Sequence, residues 1–115
     1  MKDHMTSTWK TTMGSSVGLE FEPPHPGEYL REDILPALGM SVKDFAAHIG
    51  VSRQSMSEVI HARRGLSTDM AIRLGRALQN GARFWLALQM QHDLWKEEAR
   101  FSANIAPIPW SRDAA

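Results

Sequence analysis

Gly50 separates two apolar periods that do not run into one another, and this break limits what the chain can fold into more than any other feature. Ahead of it, Phe45, Ala46 and Ile49 fall on one side of a helix; behind it, Met56, Val59 and Ile60 repeat the pattern at three-and-four spacing. Ser41 is a good N-cap for the first helix, with Asp44 three residues on completing a weak capping box, and Ser52 is a good N-cap for the second. A glycine between them takes positive φ without the steric cost of a Cβ, and Val51 is the apolar residue that plugs the turn. Ala46 is small where the second helix would cross the first. Val42 to His61 therefore reads as two short helices joined by a tight turn, a helix-turn-helix.

The outer face of the second helix carries Arg53, Gln54, Ser57, Glu58 and His61, side chains that offer donors and acceptors to base edges in a major groove. Such a face is also what water-exposed helices look like. The run Phe45, Ala46, Ile49, Gly50, Val51, Met56, Val59, read as apolar, small, apolar, glycine, then three apolar positions, resembles the phage-repressor type of the motif, and that resemblance implies DNA binding. Arg53 would pair with guanine O6 and N7 and Gln54 with adenine N6 and N7, each pair worth about 1–3 kcal/mol of discrimination. Glu58 has two readings: acceptor from cytosine N4, or partner to Arg53 or His61 in a local ion pair.

A chain of 115 residues has room for one domain with a modest core, and having no cysteine it can hold neither a disulfide nor a cysteine-based zinc site. No apolar run approaches the about 18 residues of a membrane span, and the first residues lack the pattern of a secretory signal, so a soluble, cytoplasmic protein with no membrane partner is expected. Net charge is zero, which at first argues against a nucleic-acid partner. Its distribution does not. Over residues 20–41, Glu20, Glu22, Glu28, Glu32 and Asp33 stand against Arg31, whereas over residues 53–83, Arg53, Arg63, Arg64, Arg73, Arg76 and Arg83 stand against Glu58 and Asp69. A basic middle on a neutral chain can follow a duplex locally.

Taken in order, residues 1–22 are polar and without period, a flexible arm in which Met13 is an alternative start. Pro23, Pro24 and Pro26 lead into a helix from Gly27 to Leu35 with Leu30 and Ile34 inward, and Pro36 should end or kink it near Leu35. Beyond the motif, Arg63 and Arg64 are placed to meet phosphates, or form a solvated loop pair. Ser67 caps a helix from Thr68 to Leu78, with Met70, Ala71, Leu74, Ala77 and Leu78 inward and Arg73 and Arg76 on the other side. Asn80 and Gly81 break the chain before a helix from Ala82 to about Ala99. There Phe84, Trp85, Leu86, Leu88, Met90, Leu94 and Trp95 are too many apolar residues for one stripe, which implies burial on a second side. A two-fold dimer through Trp85, Leu88, Met90, Leu94 and Trp95 supplies that side most simply; a groove for a partner protein is the other reading. The expected architecture is all-α, a compact five-helix domain over residues 23–99, followed by a tail, residues 100–115, that is either mobile or docked through Ile108 and Trp110.

Catalysis is not expected. His4, His25, His48, His61 and His92 show no ligand spacing with carboxylates and read as isolated surface residues, and no glycine-rich phosphate cradle or nucleophile motif is present. No catalytic residue, metal or cofactor is assigned.

Three segments together are more specific: HPGEYLREDILPALGMS before the motif, RRGLSTDMAIRL after it and RFWLALQMQHDLW in the last helix. Over about Pro24 to Glu98 the chain resembles the HigA-type antitoxins of bacterial toxin–antitoxin modules. The resemblance implies a dimeric repressor that binds double-stranded operator DNA at its own operon and holds a HigB-type messenger-RNA-cleaving toxin inactive. Carried over position by position, it puts Arg53, Gln54, Ser57 and Glu58 on bases, and Ser41, Lys43, Ser52, Arg63 and Arg64 on phosphates. The operator would be a pseudo-palindrome with half-sites roughly 34–36 Å apart. QNGARFW departs from the family, which usually has Thr or Ser and Pro before its Phe-Trp pair. The alternatives are a stand-alone repressor with the same DNA chemistry and no toxin, and an interaction module whose motif no longer reads DNA.

Overall fold

The computed structural model describes residues 21–111. The arm and the alternative start at Met13 lie almost wholly outside that range. Among the described residues the chain forms five helices and no strand, the all-α architecture expected of the phage-repressor type.

Helix α1 spans residues 26–38 in three continuous pieces: an α-turn at Pro26–Tyr29, a π-helical segment at Leu30–Ile34 and a second α-turn at Leu35–Leu38. Pro26 fills the first helical position, where its missing N–H costs nothing, and the Nδ1 of His25 caps the turn by accepting from the Gly27 N–H at 2.9 Å. Of the two outcomes expected near Leu35, an end or a kink, the end does not occur: Pro36 lies inside the helix, directly after a local irregularity. The wide π-turn just before it, in which the Leu35 N–H reaches back to the Leu30 carbonyl, takes up the missing donor and the bulk of the ring. The helix ends instead at Gly39, left-handed at φ 66°.

Helices α2 (Val42–Ile49), α3 (Arg53–Ile60), α4 (Thr68–Leu78) and α5 (Ala82–Arg100) follow. Ser41, Ser52 and Ser67 cap α2, α3 and α4, each hydroxyl accepting from the N–H three residues on. Between α2 and α3, Gly50 sits at φ 78° while the Val51 N–H closes on the Ala46 carbonyl at 3.0 Å. The core is Leu30, Phe45, Met56, Val59, Ile60, Leu74 and Trp85, each under 2% exposed. Two glycines set how closely the helices pack. A Cβ on Gly27 would lie 1.8 Å from the Val59 carbonyl oxygen, so α1 rests its backbone on α3. One on Gly75 would meet the Ala82 nitrogen at 2.4 Å, which seats the start of α5 against α4. No helix among the described residues is long and apolar enough to cross a membrane.

Candidate nucleic-acid interface

α3 turns Met56, Val59 and Ile60 into the core and leaves Arg53 and Gln54 exposed at its N-terminal end, with Ser57 and Glu58 half-exposed one turn on. Among the described residues, the side chains of Arg53 and Gln54 make no hydrogen bond or ion pair. Their donors and acceptors are available to a ligand. Ser41 and Ser52 use their oxygens as acceptors for backbone N–H groups, which leaves each hydroxyl hydrogen to donate at a helix N-terminus. Lys43 is exposed beside Ser41.

Two readings of this face change. Glu58 pairs with neither Arg53 nor His61; its carboxylate lies 3.2 Å from the guanidinium of Arg64. His61 instead folds back along α3, its Nδ1 2.9 Å from the Ser57 carbonyl oxygen, a contact in which the ring N–H donates to the carbonyl. The Ser57 hydroxyl is 3.3 Å from the same nitrogen.

The exit of α3 is built as tightly as its entry. The Ala62 N–H donates to the Val59 carbonyl at 3.0 Å and the Arg63 N–H to the Glu58 carbonyl at 2.8 Å, the paired closure of a Schellman motif. That motif requires a left-handed residue after the cap, and Ala62 holds it at φ 57° although it carries a Cβ. The result is a sharp turn that leaves both Arg63 and Arg64 exposed just past the helix. Arg53 and Gln54 thus stand at the entry of α3, Ser57 and Glu58 one turn on, and Arg63 and Arg64 just past its exit, all exposed or half-exposed.

Two arginines that read as ordinary surface charges hold the motif from behind. Arg73 of α4 donates to the Ile49 carbonyl at 2.8 Å and the Gly50 carbonyl at 3.2 Å, while its Nε is anchored by Asp69 at 2.8 Å. Arg31 of α1 donates to the Ile60 carbonyl at 2.9 Å. Each motif helix thereby ends on a cation, which satisfies its last carbonyls and the negative end of its dipole.

His25 and His92 are also not the surface residues expected: they are 6% and 9% exposed, edge to face with ring centroids 5.1 Å apart. The Nδ1 of His92 lies 2.8 Å from the Pro23 carbonyl oxygen and 3.7 Å from Glu22. Burial first, and then His92, hold His25 below the usual imidazole range. The described residues contain no cluster of three or more side chains fit to hold a metal ion.

α5 has the two apolar sides its composition suggests, with one adjustment. Trp85 is wholly buried within the chain's own core, its indole N–H donating to Asn80 at 2.8 Å, so it is not the interface residue expected. Met90 and Leu94 are 56% and 42% exposed, whereas Leu88, which packs against the core, and Trp95 are half-buried on the opposite flank of the helix.

No family model matches the chain. Virulence-associated protein I of Dichelobacter nodosus is 40% identical over 91 residues, which is 78% of this chain and 83% of that protein. Antitoxin HigA-1 of Vibrio cholerae is 36% identical over 85 residues, 69% of this chain and 80% of that protein. Among solved structures, the Pseudomonas aeruginosa antitoxin HigA with the higBA promoter matches at a TM-score of 0.66 and 38% identity, covering 69% of this chain and 86% of that one. With the helix-turn-helix, its caps and its closing loop in place, and with relatives of this identity and coverage, the chain belongs to the HigA family of helix-turn-helix antitoxins, a family of regulators and not of enzymes.

Proposed function

We propose that this protein represses its own operon by binding a pseudo-palindromic operator as a two-fold dimer, and that it neutralises a messenger-RNA-cleaving toxin. α3 enters the major groove with Arg53 and Gln54 on base edges and Ser57 and Glu58 behind them. Ser41, Lys43, Ser52, Arg63 and Arg64 lie along the phosphates on either side. The dimer forms through α5, with the exposed Met90 and Leu94 and the half-buried Leu88 and Trp95, and places the recognition helices roughly one helical turn of DNA apart. Its operator and its toxin are both met in the cytoplasm. The observation that carries this reading is the pair Arg53 and Gln54: exposed, unengaged, and projected from a helix whose two ends are both rigidly closed. A helix held at both ends loses little freedom on binding, which favours a specific complex.

A gel-shift titration on the DNA upstream of the gene, at two salt concentrations and against a scrambled duplex, tests the DNA half. Tight, salt-sensitive, sequence-selective binding is expected; equal weak binding to both duplexes would remove repression from the reading. Co-expression with the neighbouring short reading frame tests the toxin half. Growth arrest that this protein relieves is expected, and no toxicity from any neighbour would leave a stand-alone repressor.

A further inference from the structure

Gln89 lies near the middle of α5, beneath the loop that carries Arg63 and Arg64, and its amide is committed at both ends. Its Oε1 accepts from the Leu66 N–H at 2.8 Å and its Nε2 donates to Asp93 at 2.9 Å, and the residue is 8% exposed. The loop lies flat on this amide: a Cβ on Gly65 would stand 3.1 Å from the Gln89 amide carbon and nitrogen. The segment leaving α3 is therefore fixed on either side of Arg64, whose own backbone meets the buried His25 ring. The Schellman closure holds it at Arg63, and Gln89 holds it at Leu66, one residue before the Ser67 cap of α4. Between them stand only Arg64 and Gly65, and Arg64 is tied to Glu58.

We propose that Gln89 is a positioning residue for operator binding: by holding the Leu66 backbone it keeps Arg63 and Arg64 at the distance from α3 that the phosphates require. This rests on the reading of those two arginines as phosphate contacts. The chemistry explains the residue type. The Leu66 N–H precedes α4 and has no helical carbonyl to reach, so once buried it needs an acceptor from elsewhere. An amide supplies that acceptor and at the same time a donor through which Asp93 sets its rotamer. Because α5 also carries the proposed dimer surface, Gln89 links the half-site geometry to the phosphate loop.

The test uses the full chain and its operator, with Gln89→Leu, Gln89→Glu, Asp93→Asn, the double variant Gln89→Glu with Asp93→Asn, and the pair Arg63→Ala with Arg64→Ala as reference. Operator affinity is measured across a salt series, with circular dichroism to verify folding at the assay temperature. Gln89→Leu should weaken binding roughly tenfold and flatten the logarithmic salt slope by about 0.9 for each phosphate no longer neutralised, leaving base preference unchanged. Gln89→Glu alone sets two carboxylates together and should behave like Gln89→Leu. Combining Gln89→Glu with Asp93→Asn restores both hydrogen bonds, since the carboxylate accepts from Leu66 and from the new amide, and should return the slope to that of the parent. If the arginine pair leaves the slope untouched, the phosphate reading itself fails. If the arginine pair flattens it while folded Gln89→Leu keeps the parental slope, the positioning role is overturned. Should Gln89→Leu not fold, Gln89→Glu and the double variant decide: a flattened slope for Gln89→Glu that the double variant restores supports the role, and a parental slope for folded Gln89→Glu overturns it.

Discussion

The guanidinium of Arg73 donates to the carbonyl of Ile49 at 2.8 Å, tying the middle of α4 to the last residue of the first motif helix, 24 positions earlier in the chain. The turn between α2 and α3 is thus held from outside the motif as well as by Gly50. Arg73→Ala removes a charged donor from two carbonyls and leaves Asp69 without its partner. Hydrogen bonds to a charged group contribute about 1.5–3 kcal/mol when buried; with the Arg73 side chain 40% exposed, a loss nearer about 1 kcal/mol is expected. Urea denaturation checks it, and an unchanged midpoint would mean that Gly50 and Val51 suffice.

The same reasoning applied to the exit of α3 predicts a gain. Ala62 occupies a left-handed position at φ 57°, where a Cβ costs about 1–2 kcal/mol. Ala62→Gly removes that cost but adds freedom to the unfolded chain, so a net stabilisation of about 0.5–1 kcal/mol is expected. Operator affinity should not fall. A lower melting temperature for Ala62→Gly would show that the loop draws on the methyl group for packing. Gly27→Ala should go the other way, because its methyl has nowhere to go but into the Val59 carbonyl. Failure to yield folded protein is the expected outcome, and a soluble variant with the parental helical signal would contradict the close approach of α1 to α3.

What could be read from the sequence and what could not divide along the range of the interactions. The caps at Ser41, Ser52 and Ser67 and the turn at Gly50 are local, each decided within about four residues, and all stand where their residue types place them. Arg31 and Arg73 could not be read in this way, since their acceptors at Ile60 and Ile49 lie 29 and 24 residues away. His25 and His92 meet across 67 positions for the same reason, and so read as isolated surface residues. Trp85 is legible as apolar but not as inward, because a helix with two apolar sides does not show which one faces its own core. Pro36 is a different case: proline removes one hydrogen bond for certain, but ending the helix is only one remedy, and a π-turn before it is another. For the site, the type of face on α3 is legible, whereas the commitment of Glu58 to Arg64 depends on the left-handed turn at Ala62, which alanine does not announce.

That commitment has a measurable consequence. Glu58 holds a negative charge beside Arg64, where a phosphate would otherwise sit. Glu58→Gln should release Arg64 and raise affinity for a random duplex, with a salt slope steeper by up to about 0.9. If Glu58 also accepts from cytosine N4, the same change should erase about 1–3 kcal/mol of preference at one base pair of each half-site. Titrations on random and operator duplexes separate the two effects. No change on either duplex would remove Glu58 from the interface.

Acid should loosen the base of the domain through His25. Its imidazole is held below the usual value of 6.5 by burial and by His92, and its Nδ1 accepts from the Gly27 N–H, a role that protonation abolishes. A lowered folded-state value means that the unfolded chain takes up the proton first, so stability should fall as pH drops below about 6.5. His25→Asn keeps a side-chain acceptor at the cap and does not titrate. Its stability should vary less than that of the parent across this range, measured by denaturation at about pH 7.5, 6.5 and 5.5, which brackets the ordinary imidazole value. Equal pH dependence in the two proteins would assign the acid sensitivity to other groups.

The surface of α5 provides the last test, because its two sides make opposite demands. Trp85 is fully buried, and Trp85→Ala should cost about 3–5 kcal/mol and threaten the fold itself. Met90 is 56% exposed in the protomer, so Met90→Glu has no core to disturb, and its helical signal and melting temperature at low protein concentration should stay close to the parental ones. If that side joins two copies, the introduced carboxylates would sit in an apolar contact, where an unpaired charge is strongly unfavourable. Sedimentation equilibrium should then show a shift from dimer towards monomer. Operator binding should weaken with it, since two half-sites gain their joint affinity only when the helices that read them are linked. A Met90→Glu protein that remains dimeric and binds the full operator as the parent does would place the dimer contact on a different face of the domain.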